Sequence, residues 1–301
     1  MECRRRRCVL STPAASMKMI QHGAASDADE VFLDLEDSVV PLQKDQARLN
    51  VIEGLNSLDW KGKVTAVRIN NVYTQWCYRD VVEVVKGAGT KLDVFIIPKV
   101  FRPADVLFVD LLLGQLEQEL GLQKRIGLEC LIEQAEAMEY VREIALSTPR
   151  LEAIIFGAAD YTASLGIPVT NSSRINEEYP YPGHRWNFAL SRMAVAARNA
   201  GIQAIDGPFT GFKGEALEKY REQAEWAAGL GCDGKWAIHP AQVAVAQKAF
   251  TPPETVVARA MKIVEAYDKA EKEGIGVISV DGDMIDAVSY KIAKGVLMRK
   301  G

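Results

Sequence analysis

Residues 31–40 read VFLDLEDSVV, an apolar run that ends among carboxylates. The run from Val31 to Leu35 is typical of a strand buried on both faces, as strands of parallel sheets are. Three acids stand at its carboxyl end: Asp34, Glu36 and Asp37. Alternation along a strand would direct Asp34 and Glu36 to one face and Asp37 to the other. Because buried charges are costly, we expect the acids to lie where the strand leaves the core, although no role for Asp34 follows from the pattern.

Seven further strand-like segments recur along the chain, each followed by a helix-like stretch. All eight are CVLSTP from Cys8, EVFLDLED from Glu30, VTAVRIN from Val64, VFIIPKV from Val94, IGLECLIE from Ile126, AIIFGAAD from Ala153, IQAIDGP from Ile202 and GKWAIHP from Gly234. Eight βα units in about 250 residues predict a (β/α)8 barrel over residues 1–250. An open doubly wound sheet is the rival, but six strands is its usual number and no G-x-G-x-x-G follows the first strand. Residues 251–301 exceed the barrel and predict a C-terminal helical extension that serves as a cap or reaches a neighbouring subunit.

Composition excludes several classes of protein. A net charge of −4 and a pI near 5.6 argue against a nucleic-acid binder, which needs a basic face. No apolar run approaches the ~20 residues that span a bilayer, so no membrane association is expected. Five cysteines without C-x-x-C spacing favour a reducing interior, and we expect a cytoplasmic protein. The cluster Arg4–Arg7 predicts a solvated N-terminus, with phosphate binding as the minority alternative.

Polar residues follow seven of the eight predicted strands. They are Glu36 and Asp37, Arg68 and Asn70, Lys99, Glu133, Asp160, Asp206, and His239. The carboxyl ends of barrel strands meet at one mouth, where the chemistry of such barrels is located. Carboxylates crowded there need a compensating cation, and oxygen ligands with room for water suit Mg²⁺. Any single acid could instead cap a helix.

Two other features at the strand ends favour anion binding, and Lys99 bears on nucleophilic catalysis. The Arg68 guanidinium offers a fork for carboxylate or enolate oxygens, or serves as a buried counter-ion. The small-residue turn GAAD, residues 157–160, would let backbone N–H groups approach an anion. Nucleophilic catalysis is poorly supported because there is no G-x-S-x-G motif, and Lys99 is the one lysine placed for imine formation.

An ordered set of motifs resembles the citrate lyase β-subunit-like family of acyl-CoA lyases, within the HpcH/HpaI aldolase superfamily. The set is LDLEDSVVPLQKDQAR, VRIN, WCYRDVV, IIPKV, LIE, GAADYTASLG, DGPF, GKWAIHPAQV and FTPPE. The resemblance implies a (β/α)8 barrel with a C-terminal extension, assembled as a trimer or hexamer. It also implies reversible cleavage of a 3-hydroxyacyl-CoA that depends on Mg²⁺, with Mn²⁺ as an alternative and a coenzyme A thioester as substrate.

The same resemblance assigns roles to individual residues. Glu133 and Asp160 are implied to be the metal ligands, and Glu36 and Asp37 to hold the metal's waters. Arg68 is implied to clamp a substrate oxygen. The remaining implied contacts are Ala159, Ile238 and His239 with the substrate, and Asp286 as the acid that the extension lends to a neighbouring active site.

The chain departs from the family after its first strand. Ser16 stands where many relatives carry an arginine that contacts coenzyme A, so Lys18, Lys44 or the Arg4–Arg7 cluster would have to substitute. The polar loop from Thr170 to Trp186 predicts a substrate lid or a subunit contact.

Several functions fit this resemblance. The leading one is cleavage of malyl-CoA to acetyl-CoA and glyoxylate, and of β-methylmalyl-CoA to propionyl-CoA and glyoxylate. Citramalyl-CoA cleavage to acetyl-CoA and pyruvate, a malyl-CoA thioesterase, and a non-catalytic barrel subunit are the alternatives.

Overall fold

Eight parallel strands close into a barrel in chain order, from β1 to β8 and back to β1. The computed structural model describes residues 4–170 and 175–299. The strands are β1 (Cys8–Pro13), β2 (Glu30–Asp34), β3 (Val64–Arg68), β4 (Val94–Ile97), β5 (Gly127–Ile132), β6 (Leu151–Phe156), β7 (Gln203–Asp206) and β8 (Gly234–Ala237). All eight predicted strands are present, which confirms the (β/α)8 class, and closure of the barrel rules out the open doubly wound sheet.

Helices alternate with these strands along the chain. They are α1 (Met17–Ala25), α2 (Lys44–Ser57), α3 (Cys77–Ala88), α4 (Pro103–Leu120), α5 (Ala135–Glu139), α6 (Val141–Ala145), α7 (Ala158–Ser164), α8 (Ile175–Glu178), α9 (Asn187–Ala200), α10 (Glu215–Gly229) and α11 (Val243–Ala249). Helix α9 ends at its C-cap Gly201, which adopts a left-handed conformation with φ 72° that glycine tolerates without strain.

The strands are buried on both faces, as their continuous apolar sequence predicts. All five residues of β2 are buried, including the acids Glu30 and Asp34 at its two ends. A core cluster inside the barrel collects side chains from all eight strands. It comprises Val9, Phe32, Val64, Ala66, Val94, Ile96, Leu131, Ala153, Ile155, Ile205 and Trp236. This packed interior fixes where the strand ends lie, and so fixes the mouth.

The basic cluster Arg4–Arg7 is only partly solvated, and the prediction of a solvated N-terminus is wrong for Arg6. Its side chain is 1% exposed and lies among carboxylates at the amino ends of the strands. The guanidinium donates to Glu30 (Nε–Oε2, 2.8 Å) and to Glu152 (Nη2–Oε2, 2.6 Å), and it also contacts Glu129. Arg6 therefore neutralises buried acids at the end of the barrel opposite the mouth.

The chain divides into two compact units, residues 1–247 and 248–301. The second unit contains α12 (Glu254–Lys272), a hairpin of β9 (Ile278–Val280) and β10 (Asp283–Ile285), and α13 (Ala287–Met298). Its own core comprises Ala260, Ile263, Tyr267, Ile285 and Ala293.

Candidate active site

Five of the residues predicted at the mouth are connected by direct contacts. Arg68 lies within an ion-pair distance of Glu36, which Lys99 also contacts, and the Lys99 backbone donates to Glu133. The Lys99 ammonium is in turn 3.9 Å from Asp160. Strands β2 to β6 thus bring their carboxyl ends together around one acidic cluster, as the barrel topology predicts.

Asp34 fixes Arg68, a role that sequence reasoning missed. The two residues occupy the same register position in β2 and β3, each as the last residue of its strand. Arg68 donates to both Asp34 oxygens in a forked pair (Nε–Oδ1 and Nη2–Oδ2, both 2.7 Å). Burial raises the pKa of Asp34, but the Arg68 charge together with the hydrogen bonds from Arg68, Ser38 and Glu36 outweighs burial and lowers that pKa to about 2. The pair stays ionised, so the guanidinium keeps a fixed orientation.

The turn after β2 explains why the strand ends earlier than the predicted EVFLDLED. The Asp34 carboxylate accepts from the backbone N–H of Glu36 (2.9 Å) and of Ser38 (3.1 Å). Such side-chain-to-backbone bonds compete with the sheet and favour a turn. Asp34 therefore ends the strand at the point where Glu36 and Asp37 must face the mouth.

Lys99 lies between the acids of the β2 turn and those of β5 and β6. Its Nζ contacts the Glu36 carboxylate and lies 3.0 Å from both oxygens of Asp37. Burial lowers the pKa of Lys99, but its bonds to Glu36 and Asp37 raise it well above the ordinary value. Because imine formation needs a neutral amine, this environment disfavours the imine chemistry considered from sequence.

Glu133 is a buried member of the acidic cluster, and Asp160 beside it is partly exposed. Glu133 is 3% exposed, and its Oε1 accepts from the Lys99 backbone N–H at 2.7 Å. Burial, and then the charges of Asp160 and Glu36, raise the pKa of Glu133 to about 8. Gly157 lies so close that a Cβ there would overlap the Glu133 side chain. The glycine of the GAAD turn thus makes the room that Glu133 occupies.

The donor set fits a hard divalent cation that keeps part of its hydration. Glu133 and Asp160 supply two carboxylates, and within residues 4–170 and 175–299 no group of three or more His, Cys, Asp or Glu side chains is arranged for a metal. Mg²⁺ is typically bound through one or two carboxylates with several waters retained. Glu36 Oε2 is buried without a hydrogen-bond partner in the described chain, so it has capacity to accept from such a water.

Asp206 ends β7 at the carboxyl end of the barrel, as predicted, but it pairs with Lys235 and His184 and not with the residues of the acidic cluster. Its carboxylate contacts the Lys235 ammonium, and His184 Nε2 lies 3.6 Å away. Burial raises the pKa of Asp206, but Lys235 and then His184 lower it to about 2. Lys235 lies inside the apolar-looking strand β8, which is the signal that could have revealed this buried pair.

The described part of the loop from Thr170 to Trp186 packs against its own barrel. The Trp186 ring contacts Phe156 at the end of β6 and Tyr161 in α7, with centroid distances of 5.6 Å to each. Residues 171–174 of the loop lie outside the described residues. A role as a lid or a subunit contact stays a prediction.

The predicted substrate contacts follow strands β6 and β8. Ala159 is exposed in the first turn of α7, and Ile238 is exposed directly after β8. His239 stacks on Phe212 (centroid distance 4.3 Å), and its Nδ1 accepts from the Ala241 N–H.

The predicted coenzyme A contacts are more dispersed. Ser16 precedes α1, and Lys18 is exposed on that helix. Lys44 is buried and donates to the Leu35 and Glu36 carbonyl oxygens (2.6 and 2.7 Å). A cavity of about 730 Å³ adjoins Lys44 and Lys99; its lining includes Val39, Asn70, Tyr73, Trp76 and Phe101.

Asp286 belongs to the second unit and begins α13. Its Oδ1 accepts from the Ser289 N–H (2.9 Å) and hydroxyl (3.0 Å), and these bonds lower the pKa of Asp286. Its contribution to a neighbouring active site stays a prediction. Among the described residues, no helix is both long and apolar enough to cross a bilayer.

Comparisons with known proteins define the class to which this barrel and acidic mouth belong. The family model described as HpcH/HpaI aldolase/citrate lyase matches residues 7–240. The L-malyl-CoA/β-methylmalyl-CoA lyase of Cereibacter sphaeroides is 43% identical over 298 residues, covering 97% of this chain and 93% of the relative. The malyl-CoA/β-methylmalyl-CoA/citramalyl-CoA lyase of Chloroflexus aurantiacus is 33% identical, with 91% and 81% covered.

A solved structure agrees with these sequence relatives. The CitE protein of Mycobacterium tuberculosis, in complex with magnesium, acetoacetate and coenzyme A, superposes with a TM-score of 0.76 at 28% identity and covers 98% of this chain and 97% of its own. The chain belongs to the HpcH/HpaI aldolase/citrate lyase family. It is a carbon–carbon lyase.

Proposed function

We propose that this enzyme catalyses the Mg²⁺-dependent, reversible cleavage of malyl-CoA to acetyl-CoA and glyoxylate, and of β-methylmalyl-CoA to propionyl-CoA and glyoxylate. The observation that carries the proposal is the buried Glu133 carboxyl beside Asp160, facing an Arg68 that is already held by Asp34. The 43% identity to a malyl-CoA/β-methylmalyl-CoA lyase supports the choice of substrates.

Glu133 and Asp160 would hold the metal, and Glu36 and Asp37 would accept from its waters. When bound, Mg²⁺ would act as a Lewis acid that polarises the carbonyl group of the 2-oxo acid. The raised pKa of Glu133 supports this assignment. Two carboxylates at close range repel each other when both are ionised, and a bound cation removes that repulsion. Mn²⁺ has similar oxygen-ligand preferences and is the expected substitute.

Arg68 would stabilise the oxygen that becomes negative on the coenzyme A thioester. Burial lowers the pKa of Arg68, but its pair with Asp34 raises it well above the ordinary value, so the guanidinium stays charged and fixed and little reorganisation is needed when charge develops on the substrate. In the condensation direction, the Asp286 carboxylate of a neighbouring chain would remove a proton from the methyl group of acetyl-CoA. In the single chain, hydrogen bonds from Ser289 lower the pKa of Asp286, so this carboxylate is ionised there.

The remaining predicted residues would bind and orient the substrate. Ala159, Ile238 and His239 would contact the acyl part, and Ser16, Lys18 and Lys44 the coenzyme A part. The cavity beside Lys99 has the volume of a typical small-molecule site and connects the acidic cluster to aromatic side chains. We further propose a homo-oligomer, a trimer or hexamer, since the Asp286 assignment requires a second copy of the chain.

Citramalyl-CoA cleavage to acetyl-CoA and pyruvate is the second candidate. The Chloroflexus relative carries citramalyl-CoA in its name beside the other two substrates. Pyruvate has one methyl group more than glyoxylate, which a pocket discriminates by only about 1–3 kcal/mol. One site could therefore serve both substrates.

The test is an assay of purified protein with malyl-CoA, β-methylmalyl-CoA and citramalyl-CoA, in Mg²⁺ and in EDTA. Glyoxylate release that EDTA abolishes supports the proposal, pyruvate release supports the second candidate, and free coenzyme A without either would indicate a thioesterase. Asp160→Asn should abolish turnover and leave the fold intact, whereas the exposed Asp27→Asn should retain activity. Full activity of Asp160→Asn would overturn the metal assignment.

A mixing experiment tests the shared site. Asp286→Ala and Asp160→Asn chains, each inactive alone, should recover activity when they are reassembled into mixed oligomers. No recovery, although mixed oligomers form, would contradict the proposal that a neighbouring chain supplies Asp286.

A further inference from the structure

Lys99 has an unusual backbone conformation for a residue with a long side chain. Its φ of 49° lies in the left-handed region, which costs non-glycine residues of order 1 kcal/mol or more. Two opposed contacts accompany this conformation. The backbone N–H donates to Glu133 Oε1 at 2.7 Å, while the side chain turns to Glu36 and Asp37. Lys99 thus contacts Glu133 through its backbone, and Glu36 and Asp37 through its ammonium.

The Lys99 ammonium shares Glu36 with Arg68 and adds ion pairs to Asp37 and Asp160. It contacts Glu36, lies 3.0 Å from Asp37, and lies 3.9 Å from Asp160 Oδ1. Arg68 donates to both Asp34 oxygens, and its Nη1 lies 3.1 Å from Glu36 Oε2. The Lys99 charge reduces the repulsion among Glu36, Asp37 and Asp160 without satisfying all of their oxygens, since Glu36 Oε2 has no hydrogen-bond partner in the described chain.

We infer that Lys99 competes with the metal for the acidic cluster. In the metal-free enzyme its ammonium is a counter-ion of these acids, and its charge limits how tightly the site binds Mg²⁺. The inference rests on the proposed function, because it takes Glu133 and Asp160 as the metal ligands. Lys99 is a positioning residue in this scheme and takes no part in bond cleavage. If Lys99 only held the acids in place, removing its side chain would loosen them and weaken metal binding. Competition predicts the opposite effect on metal binding.

The test measures Mg²⁺ binding directly by isothermal titration calorimetry on the metal-free protein. Lys99→Met keeps the length of the side chain and removes the charge. A unit charge a few ångströms from a divalent cation, screened nearly as in bulk water, corresponds to roughly 10- to 100-fold in affinity, so we expect the Kd for Mg²⁺ to fall by about that factor. Lys99→Arg keeps the charge and should stay close to the wild-type Kd. An unchanged or higher Kd in Lys99→Met would overturn the inference.

Thermal unfolding supplies a second measurement that does not depend on turnover. Without metal, Lys99→Met should unfold at a lower temperature than the wild type, because the acids then repel one another without their counter-ion. Saturating Mg²⁺ should raise its midpoint by more than it raises the wild-type midpoint. Equal metal-induced shifts in the two proteins would contradict the inference. If Lys99→Met does not fold, Lys99→Gln provides the same comparison with a polar neutral side chain.

Lys86→Met is the matched control for net charge. Lys86 is exposed on α3 and pairs with Glu119 at 3.1 Å, away from the acidic cluster. Its loss should leave the Kd for Mg²⁺ within about twofold of the wild-type value, because exposed charges are strongly screened. Failure of wild-type protein to bind Mg²⁺ would refute the proposed function. Normal binding by the wild type with no tightening in Lys99→Met would refute this inference alone.

Discussion

Replacing Arg6 with methionine should destabilise the barrel by about 3–5 kcal/mol, the usual effect of removing one partner from a buried ion cluster. Arg6 is 1% exposed and faces the carboxylates of Glu30, Glu129 and Glu152. Methionine fills most of the volume of the arginine stem, so the loss is electrostatic more than a matter of packing. The glutamates cannot reach water in compensation, because Glu30 and Glu129 are themselves fully buried.

Thermal unfolding followed by circular dichroism would measure this loss. For a barrel unit of this size, 3–5 kcal/mol corresponds to a midpoint lowered by roughly 6–20 °C. Arg5→Met is the matched control, since Arg5 is the exposed neighbour with the same charge and should change stability by no more than ~0.5 kcal/mol. Adding Glu30→Gln to Arg6→Met should recover part of the loss. Equal midpoints for the Arg5 and Arg6 variants would refute the claim that Arg6 holds this cluster together.

Two further predictions concern the two ends of the barrel. Burial, and then the neighbouring Glu129 charge, raise the pKa of Glu30, so the folded state binds this proton more tightly than the unfolded state does. Stability should therefore fall as pH rises above the ordinary glutamate pKa, and Glu30→Gln should flatten that decline in denaturation measured from pH 5 to 9. Gly157→Ala should weaken Mg²⁺ binding by about tenfold or more in calorimetry, because the added Cβ displaces Glu133. Gly114→Ala meets open space in α4 and should bind normally; equal Kd values for both variants would contradict this reasoning.

The eight strands could be predicted because each is an apolar run bounded by polar residues. β1 and β3 begin at Cys8 and Val64, where the sequence pattern places them. The ends were harder to predict. β2 stops at Asp34, because that side chain bonds to the backbone of the next turn and ends the sheet ladder. Such local competition between side chain and backbone leaves little trace in hydrophobic periodicity.

The mouth could be predicted as a region, while its pairings could not. Strand order and chain direction place Glu133, Asp160 and Arg68 at one end of any such barrel. That Arg68 pairs with Asp34 depends on the register between β2 and β3, which the sequence does not state. One signal was available: Asp34 is the acid nearest the apolar run, where an ionised side chain needs a buried cation.

Arg6 was misjudged for a related reason. Its partners lie 24, 123 and 146 residues away along the chain, so no local pattern identifies them. The signal lay in the strands, since Glu129 and Glu152 interrupt apolar runs and Glu30 begins one. Acids inside several strands of one predicted barrel call for a cation at their common end, and an arginine just before β1 is suitably placed.

The two ends of the barrel balance their acids in different ways, and the difference indicates which end binds a ligand. At the amino end, Arg6 meets Glu30 and Glu129, and the raised pKa values of those two acids show that a proton can supply the missing positive charge. At the mouth, Arg68 and Lys99 are outnumbered by the acids Asp34, Glu36, Asp37, Glu133 and Asp160. There Asp160 and Asp37 are partly or fully exposed, so a cation from solvent can reach them. Uncompensated carboxylates that are open to solvent form a site for a soluble cation, whereas uncompensated carboxylates buried in the protein are balanced by a proton.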